Sequence, residues 1–151
     1  MTRRPKAFTS GLRGKRVSHV WRGYGSALFL EFGKLAETRK LNGKRGQPVG
    51  EVTLMIEWSW RVENKTSILG GSWSNERRWP KLFERLVGRK VKSVELFGRL
   101  PEVAVALSNG LRVISFMTAD GQPSWAVIAR KPPHGSLSVK RGKLYVRANG
   151  S

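Results

Sequence analysis

His19 and His134 are the only imidazoles in the chain. A histidine acts as a general base when a nucleophile and an orienting partner converge on it. His19 falls in a strand-like run and His134 in the turn-forming stretch "KPPHGS". Both read as structural or surface residues. Metal-dependent phosphodiester cleavage needs clustered carboxylates to hold the cations. Glu63-Asn64-Lys65 resembles the Glu-x-Lys of some nucleases, and Asp120 is the acid that would complete it. These residues define a nuclease alternative, although no pair among the ten acids has diagnostic spacing. Gly43-Lys44-Arg45-Gly46 lacks the first glycine of a nucleotide-binding phosphate loop, and the Ser or Thr that follows its lysine. Its backbone N–H groups and cations would still suit a phosphate. The absence of cysteine excludes a disulfide framework and thiolate chemistry. The expectation is a non-enzymatic protein with no cofactor and no metal.

Charge is more informative. The chain of 151 residues has 29 Lys and Arg against 10 Asp and Glu, a net charge of +19. Self-repulsion at that level opposes compaction, and a polyanionic partner relieves it. Residues 1–48 hold 12 Lys and Arg and only Glu31 and Glu37; residues 130–147 hold six and no acid; residues 51–100 hold ten against six. The excess therefore lies in the lead, in the segment 34–50 and in the tail. Phosphate contacts are expected from Arg3, Arg4, Lys6, Arg13, Lys15, Arg16 and Arg22. Arg39, Lys40, Lys44, Arg45, Lys140, Arg141 and Lys143 extend the set. Such contacts position a nucleic acid, RNA or DNA, without reading its sequence.

Aromatic side chains add base stacking. Trp21, Tyr24, Trp58, Trp73 and Trp79 are the candidates. Trp21 and Tyr24 form the best pair, because Arg16, Arg22 and a Gly23-x-Gly25 turn surround them in sequence. The alternative partner is an acidic protein or nucleoprotein complex, on which the chain would dock as an accessory or inhibitor module, for example a phage-encoded one. The longest apolar run is too short to cross a bilayer, and the basic start lacks the apolar core of a signal sequence. A cytoplasmic protein of a prokaryote, or of a virus of one, is expected, with no membrane partner.

The elements that must position these residues come twice. Offset by 74 residues, Arg3, Arg4, Leu12, Gly14, Val17 and Val20 meet identical residues at Arg77, Arg78, Leu86, Gly88, Val91 and Val94. Later, Trp60-x-Val62 meets Trp125-x-Val127. The chain reads as a single domain, 1–151, with pseudo-repeats at about 3–73 and 77–130 and a basic C-terminal hairpin, 131–151, turning at Lys140-Arg141-Gly142. Strands are expected at 17–22, 26–32, 51–62, 67–72, 91–97, 102–108, 111–117 and 124–130. "WPKLFERLVG" reads as a helix, with Pro80 in its first turn and Gly88 beyond its end. The expected fold is mainly β: an internally duplicated sandwich or partly closed barrel of about 8–10 strands with one or two short helices. Within 51–62, Trp58 and Trp60 would share one strand face and both join the core.

The stretch Trp60 to Ser72, then "LVGRKVKSV" at 86–94, "LSNGLRVISF" at 107–116 and Trp125 resemble a family of small uncharacterised bacterial β-rich proteins. The resemblance covers about residues 12–130 and implies a fold and no activity. Gly-[Lys/Arg]-x-Val-x-x-Val before an apolar strand is also similar to the opening of the N-terminal sandwich of formamidopyrimidine-DNA glycosylases. Their Pro-Glu is not matched by Met1-Thr2-Arg3-Arg4, so that resemblance implies no glycosylase chemistry.

Overall fold

A computed structural model describes residues 4–148. Helix α1 (Pro5–Ser10) precedes strands β1 (Val17–Arg22), β2 (Leu28–Phe32), β3 (Val52–Ile56), β4 (Trp60–Glu63) and β5 (Ile68–Gly71). A 3-10 turn, Glu76–Arg78, opens helix α2 (Trp79–Glu84). Strands β6 (Val91–Phe97), β7 (Glu102–Leu107), β8 (Arg112–Ser115), β9 (Trp125–Ala129), β10 (Gly135–Lys140) and β11 (Lys143–Ala148) follow. Arg3 lies outside the described residues.

The strands form two antiparallel sheets, ordered β1-β2-β3-β9-β10-β11 and β5-β4-β8-β7-β6. The fold is a mainly β sandwich with two short helices, and its sheets stay open rather than closing into a barrel. Replacing β1–β5 by β6–β10 turns one strand order into the other, with β11 added at one edge. The chain changes sheets twice to do this: β4 leaves β3 to pair with β8, and β9 leaves β8 to pair with β3.

That crossing corrects one expectation. Residues 51–62 are not one strand, because the chain passes between layers at Glu57–Ser59. Ile56 and Trp60 are both buried, while Trp58, at the crossing, is 50% exposed. Trp58 is therefore not core. The core lies between the sheets, where Leu30, Leu54 and Val127 of one meet Val62, Val105 and Val113 of the other within one cluster. Phe8 and Leu12 seal one flank and Leu82 and Leu86 another.

Pro5 and Pro80 each sit in the first helical turn, where no N–H is needed. Gly14 and Gly88 follow at φ +86° each, a left-handed conformation costly for other residues. Pairing then shifts between Val17 and His19 in β1, and between Val91 and Ser93 in β6. Because of the shift, Val91 and Val94 both turn toward the core, although strict alternation would separate them.

Candidate nucleic-acid interface

Helix α2 separates charge by side. Arg78, Lys81 and Arg85 are spaced three and four apart and so share one flank. With Arg77 they line a groove of about 530 Å³ against Leu69 and Gly70 of β5. No carboxylate lines it. Glu76 and Glu84 instead line the opposite flank of α2, toward β1. The helix can lie this close to β5 because position 70 is glycine: a Cβ there would stand 2.8 Å from Leu82 Cδ2. Trp73 follows β5 and is 82% exposed. Its neighbour Ser74 lines the groove and accepts a hydrogen bond from Gly71 N–H at 3.0 Å, which fixes the turn.

Asn109 and Ser108 lie between Arg85 and Lys90, at the junction of the two halves. Asn109 Nδ2 donates to Arg85 O at 3.0 Å, and Lys90 N–H donates to the adjacent Ser108 Oγ at 3.1 Å. Lys90 faces Arg16 across an antiparallel bridge. Arg16 Nη1 donates to Gly88 O at 2.8 Å, and Arg16 O accepts from Gly33 N–H at 3.0 Å. Beside this junction stands Glu51, 3.6 Å from Lys15 Nζ. Its carboxyl is held below its usual pKa, first by the Lys34 N–H at 2.8 Å, then by the charges of Lys15 and Lys131; partial burial works against them.

The segment 34–50 is rooted here and folds back on itself, with bridges Ala36–Val49 and Arg39–Arg45. Arg39, Lys40, Lys44 and Arg45 are exposed on it, and Arg45 reaches Glu37 at 3.1 Å. The tail contributes Arg130, whose Nη1 donates to Gly50 O and to Thr53 Oγ1. Thr53 donates in turn to Glu31, a buried carboxylate that also accepts from Gly50 N–H and Trp21 Nε1.

The other expected residues lie elsewhere. Arg4, Lys6 and Arg13 line a groove between α1 and β6. Lys140, Arg141 and Lys143 form the tip of the β10–β11 hairpin, with Arg141 N–H bound to Asp120 O at 2.8 Å. That tip stands at the Trp125 end of the sheet, opposite the junction. Arg22 is engaged with Glu76 at 2.8 Å and lies over the Trp79 ring.

The expected surroundings of the Trp21–Tyr24 pair need correction at Arg16. Arg16 stands at the far end of β1 from Trp21, beside Gly33. The indole of Trp21 stacks on Phe29 at 4.1 Å, and its N–H is held by Glu31 at 2.8 Å. Tyr24 is 95% exposed on its turn, and Trp79 is buried. Tyr24 is thus exposed while Trp21 is engaged with Phe29 and Glu31, and Trp73, another of the candidates, is exposed next to Ser74 of the α2 groove. Sequence reasoning missed that groove because Glu76 and Glu84 make the segment look balanced; a charge count at helical period would have separated the two flanks.

Among the described residues the candidate catalytic side chains stand apart from one another. His19 Nε2 meets Gln47 Oε1 at 2.8 Å, and His134 N–H donates to Lys131 O in a turn. Glu63 ends β4 opposite Arg112 and accepts from Arg61, whereas Asp120 lies against the β10–β11 turn. Among the described residues no group of three or more His, Asp or Glu could hold a metal ion. Among the described residues no helix is long and apolar enough to cross a membrane. Comparison with protein-family models, with curated proteins and with solved structures found no match.

Proposed function

We propose that this protein binds single-stranded or looped nucleic acid, RNA or DNA, without catalysing a reaction on it. The observation that carries the reading is the α2 groove, lined by Arg77, Arg78, Lys81 and Arg85 without a carboxylate, and the exposed Trp73 that immediately precedes its lining residue Ser74. Such a groove suits a phosphate backbone, and an exposed indole next to it suits an unstacked base. Arg16, Lys90 and the hairpin 34–50 extend the cationic track, and its contacts fix position without reading sequence. Net charge supports the same reading: among the described residues only four ion pairs form, and Lys15, Arg22, Arg45 and Arg61 are the cations in them.

The test is an anisotropy titration with labelled oligothymidylate and oligouridylate of about 16 nucleotides. Affinity should fall steeply as salt rises, because bound cations release counterions. Absence of binding at low salt to either oligonucleotide sinks the reading.

A further inference from the structure

The two helices close two matching grooves. α2 flanks β1 and encloses about 660 Å³, and α1 flanks β6 and encloses about 680 Å³. On the α2 side the wall is built from Trp79, Phe83 and Val87, and the Arg22–Glu76 pair spans part of the rim. At the positions 74 residues earlier, the α1 groove has Pro5, Thr9 and Arg13. Bulky walls are thereby replaced by small ones and a cation. Arg4, Lys6 and Arg13 are all exposed along the α1 groove, facing the single carboxylate of Glu95.

The second wall of this groove is the edge of a sheet, since β6 is the last strand in its order. Leu107 N–H donates to Leu111 O, so Leu107, Val105 and Val103 turn their polar backbone toward β8. Ala104 and Ala106 then bond to Glu95 and Ser93. Val94 and Leu96 are left with N–H and C=O directed to the open side. Among the described residues neither bonds to a segment outside the strand pairing. An open edge is a template for a further extended strand. A polynucleotide makes no use of a strand edge and gains from stacking faces, but no aromatic side chain lines this groove.

We propose that the α1 groove binds an acidic, extended segment of another protein, which adds as a strand to β6 and places its carboxylates against Arg4, Lys6 and Arg13. Side chains on alternate positions of such a strand point to opposite faces. The segment would therefore alternate acidic residues with small apolar ones, the latter resting on Val94 and Leu96. This proposal stands apart from the nucleic-acid reading and uses different residues.

The experiment titrates a fluorescein-labelled peptide of about eight residues, a usual strand length, alternating Glu with Val, into the full chain. Saturable binding is expected, with amide shifts at Val94 and Leu96 in nitrogen-15 spectra. Arg4→Glu with Lys6→Glu should weaken the peptide at least about tenfold, equivalent to about 1.4 kcal/mol. The same variant should weaken the oligonucleotide less than it weakens the peptide, through the general loss of positive charge alone. A peptide N-methylated at every second residue should not bind, which tests strand addition without altering the protein. The proposal is overturned by absence of saturable binding, or by binding that tolerates either N-methylation or charge reversal. It is also overturned if the oligonucleotide, or a second copy of the chain, occupies the edge and shifts Val94 and Leu96 instead.

Discussion

Trp60 and Trp125 occupy one position in two halves of the molecule. Each opens the strand that crosses to the other sheet. Each is fully buried and donates its indole N–H to a carbonyl just before the second strand of its own half, Trp60 to Ser26 O at 2.7 Å and Trp125 to Pro101 O at 3.0 Å. Trp60 pairs with Ser115 at the end of β8, and Trp125 with Ile56 at the end of β3. The two indoles pin the crossings that knit the sheets together.

That role predicts a contrast in stability. Trp60→Ala or Trp125→Ala should cost about 3–5 kcal/mol by cavity formation, with a stranded carbonyl adding to it. Trp58→Ala removes a half-exposed side chain and should cost about 0.5 kcal/mol or less. Urea unfolding of the three variants checks this. Equal losses at positions 58 and 60 would contradict the assignment.

Much of this is legible in the sequence. Ser-Trp-x-Val recurring at Trp60 and Trp125, and Leu-x-Gly at Leu12 and Leu86, marked the matching elements, because buried indoles and left-handed glycines admit few substitutes. Strands β1 and β6 were readable to the residue. The break at Glu57–Ser59 was not, since a sheet crossing interrupts pairing without interrupting apolar character. The cationic groove was hidden for a related reason. Linear charge counts average over Glu76 and Glu84, which the helix turns away from Lys81 and Arg85.

Glu31 predicts a local loss. It is buried and accepts from Trp21 Nε1, Gly50 N–H and Thr53 Oγ1, while Arg130 Nη1 donates to Thr53 Oγ1 and so directs the hydroxyl proton toward the carboxylate. Glu31→Gln sets an amide donor against one of these donors. The cost should be about 1–3 kcal/mol, read by urea unfolding. Trp21 fluorescence should respond as well, because the indole loses its anchor. A variant as stable as the parent would show the network to be unimportant.

Glu51 predicts an acid dependence. Its pKa is lowered in the folded chain from 4.5, so folding favours the ionised form. Its contribution is therefore present above pH 4.5 and is lost as pH falls through the lowered value. Glu51→Gln should leave a flatter stability profile below pH 4.5, measured by thermal unfolding across pH. A profile identical to the parent would show that the Lys34 N–H and the Lys15 and Lys131 charges do not act on this carboxylate.

Trp73 predicts a binding loss without a folding loss. The indole is 82% exposed, so Trp73→Ala should leave stability within about 0.5 kcal/mol. Oligonucleotide affinity should drop by about 1–3 kcal/mol, the usual range for one base–aromatic stack. Titration at fixed salt reads the effect, and unchanged affinity would remove Trp73 from the interface.

The most direct measurement is the salt dependence of oligonucleotide binding by the parent and by the Lys81→Ala, Arg85→Ala double variant. For a single strand the slope of log affinity against log salt is about −0.7 per phosphate contact. The account predicts binding at low salt, a steep negative slope for the parent, and a slope shallower by about 1.4 for the variant if each cation holds one phosphate. Binding whose slope is the same in both proteins, or no binding at all, would contradict it.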